Sequence, residues 1–317
     1  MFNPADASSR IKDEFVDYLS TTFSIADEDY YSQFVEKLHK SGAISKGPLI
    51  EINDIFKCGH SIEFLYNNNI LSKLFAAIEA TKSNIAPYKR KLPVTRPLYL
   101  HQEKAIDVIT TKKLNAVITT GTGSGKTECF LIPIINELLR EKERGTLSKL
   151  GVRAILIYPM NALANDQMKR LRELLMFFPD ITFGVYNGDT KKEEAEARAQ
   201  YIDLHSRETC EELRTPLNNE YISRDKMNET PPHILCTNYA MLEHMMLRPD
   251  NDRIFTNSNF KFVVLDEAHI YTGATGMETA LLLRRLKARI GGESRPQFIL
   301  TSATLGKKGE SERSIIN

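Results

Sequence analysis

The stretch 115-NAVITTGTGSGKTECFLIPIINELLRE-141 decides the fold. A short apolar strand (115–120) runs into a glycine-rich loop, 120-TGTGSGKT-127, and the loop opens directly into a helix over 126–141. Strand, loop and helix stand in the order that phosphate cradling requires. Gly121, Gly123 and Gly125 let backbone N–H groups close around a polyphosphate where a Cβ would clash, and Thr120, Thr122 and Ser124 complete the loop. The helix N-terminus adds partial positive charge. Lys126 is placed to reach the β- and γ-phosphates, and the Thr127 hydroxyl to ligate Mg²⁺. The strict pattern G-x-x-x-x-G-K-[ST] asks for glycine where this chain has Thr120, a position at which a small residue suffices.

Working outward, further short runs rich in Val, Ile and Leu lie at 153–159, 182–187, 233–238, 261–267 and 297–303, separated by helical stretches. Continuous apolar strands between helices predict a mainly parallel sheet covered on both faces, an α/β fold. In 262-FVVLDEAH-269 four apolar residues lead into two acids, which sets carboxylates at the C-terminal edge of the sheet, where open α/β sheets bind ligands. Asp266 is expected to hold Mg²⁺ through water, and Glu267 to orient and activate the attacking water. Residues 189–214 form a charged helical stretch, followed by a polar loop to Pro232; the pair reads as a solvated excursion, with a partner-binding or gating insert as the alternative.

The first eighty residues have another character. Ile11, Phe15, Tyr18, Leu19 and Phe23 recur at helical spacing, as do Tyr31, Phe34, Val35 and Leu38, with Gly42 as a C-cap. The segment 47-GPLIEI-52 reads as a short strand, and 61–82 as two short helices broken at an Asn triplet. A linker, 83-SNIAPYKRKLPVTRP-97, follows with three prolines and four basic residues. Lys89, Arg90, Lys91 and Arg96 are either solvated or face a polyanion.

Composition narrows the classes. The chain has 317 residues, 42% of them hydrophobic, enough for a sizeable core. Its 42 Lys and Arg nearly cancel 41 Asp and Glu, which excludes a protein that grips nucleic acid by bulk charge but leaves a local groove open. No apolar run approaches the ~20 residues that span a bilayer, so no membrane partner is expected. The four cysteines form no C-x-x-C pair, Cys129 and Cys236 sit in apolar runs, and a reducing cytoplasm is the expected compartment.

With both motifs in place, the sequence resembles the first motor lobe of superfamily 2 helicases of the DEAD/DEAH-box type. Over 98–305, 98-LYLHQEKAID-107 resembles the adenine-reading Q motif, with Gln102 bonding the base edge. The stretch 158-YPMNALANDQ-167 is similar to motif Ia, and 235-LCTNYAMLEHMM-246 to motif Ib. The resemblance implies nucleic-acid contacts at Asn161, Asn165, Gln167, Thr237 and Asn238, although Thr237 and Asn238 also suit an N-cap. Residues 301-TSAT-304 match motif III, in which Ser302 and Thr304 link hydrolysis to strand movement, and His269 is expected to couple to the metal acids. A narrower resemblance, carried by 270-IYTGATGMETALLLRRLKAR-289, is to bacterial and archaeal DNA helicases that include mitomycin-repair helicases and phage-defence relatives.

The resemblance implies a RecA-like P-loop NTPase lobe (98–317, with a 189–232 insert) after a mostly helical accessory region (1–82) and the linker 83–97. It implies ATP and Mg²⁺ as cofactors and a nucleic acid, DNA rather than RNA, as partner. Motifs IV to VI and an arginine finger are missing, so a fragment of a longer protein or a split gene is expected, with a second helicase lobe or partner subunit completing the motor. Alone, the chain should be a nearly inactive ATPase. The competing expectations are a non-catalytic nucleotide-dependent scaffold and a subunit of a restriction or defence translocase.

Overall fold

The computed structural model describes residues 3–23, 25–40, 42–45, 56–80, 92–121, 123–206, 214–256, 259–290 and 295–303. Thr122, Thr304, Cys210, the 47–52 segment and the basic residues 89–91 lie outside the described residues. The chain divides into two compact units, Met1–Ile55 and Phe56–Asn317. The first contains α1 (Pro4–Thr22) and α2 (Glu28–His39). Asp27 caps α2 by accepting from Asp29 N and Tyr30 N at 3.0 Å each, with Glu28 and Asp29 in its first turn, where acids complement the helix dipole.

The second unit opens with β1 (Cys58–Ser61), α3 (Ile62–Asn67) and α4 (Ala77–Ala80), then β2 (Pro97–Tyr99), which pairs antiparallel with β1. The Asn triplet does break the helix, and Asn69 takes the turn with φ +60°. After α5 (Leu100–Ile106) the chain alternates as β3 (Ala116–Thr119), α6 (Lys126–Glu143), β4 (Ala154–Tyr158), α7 (Asn161–Leu175) and β5 (Phe183–Tyr186). It continues through α8 (Glu194–His205), β6 (Glu220–Tyr221), α9 (Arg224–Glu229), β7 (Ile234–Asn238), α10 (Tyr239–Leu247) and α11 (Asp252–Phe255) to β8 (Phe262–Leu265), α12 (Gly273–Arg289) and β9 (Gln297–Ser302).

Strands β3 to β9 form one seven-stranded sheet in the order β3-β9-β8-β4-β7-β5-β6, parallel at every pairing. Alternate residues feed two cores. Ala154, Leu156 and Tyr158 of β4 face α6 and α7, while Ile155 and Ile157 face the side of α10 and α12. That double burial is why the strands read as unbroken apolar runs. Residues 61–80, expected in the accessory region, pack here instead. Ile62, Leu65, Leu71, Phe75 and Ile78 share one core with α6, and Ser72 N donates to Asn136 Oδ1 at 2.7 Å.

The loop expected up to Pro232 contains a strand and a helix. Two residues suffice for β6 because Glu220, only 6% exposed, accepts from Arg172 at 2.7 Å. At the opposite, N-terminal side of the sheet, Glu137 binds Lys261 (2.6 Å), Arg144 (2.9 Å) and Lys113 (3.4 Å). Burial would raise its carboxyl, but the hydrogen bonds from Lys261 and Arg144 outweigh it and hold the pKa at about 2, against an ordinary 4.5. A depressed carboxylate stabilises the fold above its unfolded pKa and loses that contribution as pH falls through the folded one. Thermal melts should therefore show a drop in stability between about pH 4.5 and pH 2 that Glu137→Gln flattens. Identical pH profiles for the two chains would refute this.

Candidate nucleotide site and nucleic-acid edge

Everything that carries chemistry in the sequence gathers where the parallel strands end. The phosphate loop leaves β3, the acids leave β8, Ser302 closes β9, and Asn161 and Asn238 follow β4 and β7. One sheet polarity thus brings residues as far apart as Thr120 and Ser302 to a common edge.

Gly123 and Gly125 take φ +75° and +76°, and Gly125 sits at the N-cap of α6. A Cβ on Gly125 would also stand 2.4 Å from Gln102 Nε2, so space and backbone both demand glycine. The loop is braced from α5: Gln102 Nε2 donates to Gly125 O at 3.0 Å, and His101 Nε2 to Ser124 O at 2.9 Å. Gln102 Oε1 accepts from Tyr99 N at 2.8 Å, and the side chain is 3% exposed. Both ends of the amide are therefore engaged with backbone. Within the loop, Thr120 Oγ1 and Ser124 Oγ share a 2.6 Å hydrogen bond.

Lys126 and Thr127 begin α6, and both are largely buried. The Lys126 ammonium lies 3.6 Å from Glu267 Oε1 and makes no hydrogen bond among the described residues. Asp266 is 8% exposed, its N–H donates to Ile157 O at 3.0 Å, and Oδ1 accepts from Thr301 Oγ1. Glu267 N donates to the same hydroxyl at 3.2 Å, with Glu267 itself at φ +49°, a left-handed conformation that side-chain-bearing residues seldom take. Thr301 therefore ties the two acids to β9. Sequence reasoning passed over it, although it is the first letter of 301-TSAT-304.

Burial pushes the Asp266 carboxyl above its usual range against the Thr301 hydrogen bond, and the neighbouring Glu267 charge adds to the rise. His269 Nδ1 stands 3.3 Å from both Ser302 Oγ and Glu267 Oε2, joining the acids to the end of β9.

The residues expected at a nucleic acid divide. Asn238 Nδ2 donates to Asn161 Oδ1 at 2.7 Å, and Asn161 Nδ2 to Asp189 Oδ2 at 3.0 Å, linking the ends of β4, β7 and β5. Asn238 Oδ1 also caps α10, accepting from Met241 N at 2.7 Å. Asn165 is exposed on α7; Gln167 is half-buried, and its Oε1 has no partner among the described residues. Thr237, by contrast, is fully buried, and its hydroxyl donates to Tyr186 O at 2.7 Å. It faces into the sheet and is not presented to a phosphate. A further link was not read from sequence: Arg170, on the same α7, donates to Glu128 in the first turn of α6. The helix of the phosphate loop and the helix of the nucleic-acid edge are thereby pinned together.

A sequence profile of the DEAD/DEAH box helicase family matches residues 99–311. The chain belongs to that family. This DEAD/DEAH box lobe is 30% identical to the Druantia protein DruE of Escherichia coli over 97% of its own length and 21% of that protein's. It is also 30% identical to the ATP-dependent helicase hrq1 of Schizosaccharomyces pombe, over 65% of this chain and 16% of that one. It therefore spans about a fifth of the curated relatives it matches.

Among solved structures, the DUF1998 helicase MrfA bound to DNA and AMPPNP superposes with a TM-score of 0.53 at 26% identity, over 81% of this chain and 28% of that one. The DEAD-box helicase Mss116 bound to ssRNA and UDP-BeF gives 0.57 at 19% identity, over 80% and 43%, a likeness of fold alone. The second unit accordingly carries the RecA-like helicase fold, preceded by a helical region.

Proposed function

We propose that the chain is the nucleotide-binding motor lobe of an ATP-dependent DNA helicase or translocase of DNA repair or phage defence, working in the cytoplasm. The observation that carries this reading is the buried Lys126 ammonium, 3.6 Å from Glu267 and without a hydrogen-bond acceptor among the described residues, at the mouth of the glycine loop. A buried cation whose donors lack hydrogen bonds is costly unless an anion completes it, so the residues fit a bound triphosphate. The DNA in the MrfA structure and the Druantia likeness support the choice of substrate and setting.

ATP with Mg²⁺ supplies the scissile phosphoanhydride and the neutralisation of its charge. Gly121 to Gly125 and Lys126 would hold the phosphates, Thr127 and Asp266 the metal ion, with Gln102 and Thr120 at the rim of the site. Lys126 stabilises negative charge at the terminal phosphate oxygens. Glu267 Oε2, which lacks a hydrogen bond among the described residues, orients the attacking water and takes its proton. Ser302 and His269 hold Glu267 against β9, so movement at the strand end reaches the acid. Asn161, Asn165 and Asn238 contact the nucleic-acid backbone, Gln167 lies beside them, and a second lobe or partner subunit contributes the arginine finger. The 317-residue sequence has no Q-x-x-G-R-x-G-R-like segment, so the chain alone should hydrolyse ATP very slowly.

A fluorescent-nucleotide titration and single-turnover hydrolysis test this. The chain should bind nucleotide only with a divalent cation present. Glu267→Gln should keep binding and lower single-turnover hydrolysis about 10²- to 10⁴-fold. Steady turnover of about 1 per second or more by the chain alone would refute the need for a second lobe. An E267Q variant as active as wild type would favour a non-catalytic scaffold.

A further inference from the structure

The excursion between β5 and β7 builds a basic cleft that the nucleotide site does not use. Its volume is about 580 Å³, and four cations line it: Lys192, Arg224, Arg248 and Arg253. Lys192 and Arg224 come from the excursion, Arg248 from the end of α10 and Arg253 from α11. The floor is fixed. Tyr186 Oη donates to Asn251 Oδ1 at 2.9 Å, and Asn251 is 2% exposed. Above it the Arg224 guanidinium lies over the Tyr186 ring, 5.4 Å from its centroid. Arg224 Nη2 donates to the carbonyls of Asn187 (2.9 Å) and Gly188 (3.1 Å), while its buried Nε has no partner among the described residues.

Arg224 is held only by neutral groups, so its charge is immobilised but not neutralised. Asp225, Glu229 and Asp250 also line the cleft. Yet among the described residues none of the four cations has a carboxylate within the 4.0 Å of an ion pair. Lys192, Arg248 and Arg253 are exposed, so they can meet a ligand from solvent, and Arg224 is half-buried between them. Four cations against three carboxylates leave the concavity a net positive charge, and guanidinium groups match phosphate oxygens in fork geometry. Position adds to this. The turn that Arg224 grips, Asn187–Gly188, leads straight to Asp189, which bonds Asn161 at the nucleic-acid edge.

We propose that this cleft takes the sugar-phosphate backbone of a nucleic-acid strand passing the Asn161–Asn238 edge, so that the excursion supplies extra phosphate contacts to the lobe. The inference rests on the nucleic-acid reading above, and its test separates the two. Binding of a single-stranded DNA oligonucleotide to the 317-residue chain is measured across salt concentrations. Each of Arg248→Gln and Arg253→Gln should make the slope of log K against log[salt] shallower by about 0.7, the value for one phosphate contact on a single strand. Nucleotide affinity should not change, and Arg248→Lys should keep the parental slope. Lys192→Gln, exposed and on another segment, gives the same readout should an arginine variant fail to fold. Parental slopes in the glutamine variants overturn the cleft and leave the proposed function standing. A parent chain that binds no DNA overturns both.

Discussion

Replacing Lys126 with alanine should abolish nucleotide binding, with an expected loss of at least about 100-fold in affinity. Charge-assisted hydrogen bonds contribute about 1.5–3 kcal/mol each, and the ammonium is placed to make more than one with a triphosphate. The variant should otherwise fold as the parent does. Lys126 makes no hydrogen bond, and its 3.6 Å approach to Glu267 is a loose contact, so the unliganded melting temperature should move little. The discriminating measurement is a nucleotide titration beside a thermal melt. An affinity within threefold of the parent would sink the assignment. A collapse of the melt would mean that Lys126 supports the fold rather than the ligand.

The largest effect on stability is expected at the other side of the sheet. Arg153 is 2% exposed; Nε donates to Glu141 Oε2 at 3.1 Å, Nη2 to Lys149 O at 2.7 Å and Nη1 to Gly151 O. Arg153→Ala strands Glu141, itself 2% exposed, with Lys261 at 2.9 Å as its remaining cation, and leaves the buried Gly151 carbonyl without this donor. Breaking one side of a buried pair costs about 3–5 kcal/mol. For a unit of this size each kcal/mol lowers the melting point by about 2–4 °C, so a drop of roughly 6–20 °C is expected by calorimetry. A loss under about 1 kcal/mol would show that solvent or Lys261 compensates.

What the sequence made legible follows from how each feature is encoded. The central strands β4, β7 and β8 were readable because burial on both faces leaves each an apolar run, and Thr120 to Thr127 because phosphate cradling constrains identity at fixed spacing. Strand β6 was not, because Glu220 and Tyr221 carry no apolar signal and the pairing of Glu220 with Arg172 spans 48 residues. The packing of residues 61–78 against α6 was equally hidden. Helical spacing in that segment shows an apolar face but not which core receives it. At the site, the motifs named the acids and the lysine, while the brace from Gln102 and His101, the Thr301 tie and the buried Thr237 depend on which way side chains turn at strand ends.

The sheet order has a consequence for how the chain is made. Strand β3 pairs only with β9, and the Phe298 N–H to Asn115 Oδ1 bond beside that pairing closes 183 residues of chain. During synthesis the strand that feeds the phosphate loop emerges early and, among the described strands, has no sheet neighbour until β9 leaves the ribosome. Until then its hydrogen-bonding edges stay open, and the Thr301 hydroxyl that ties Asp266 to Glu267 does not yet exist. Ligand competence should arrive in one late step, which keeps a half-made lobe from engaging ATP.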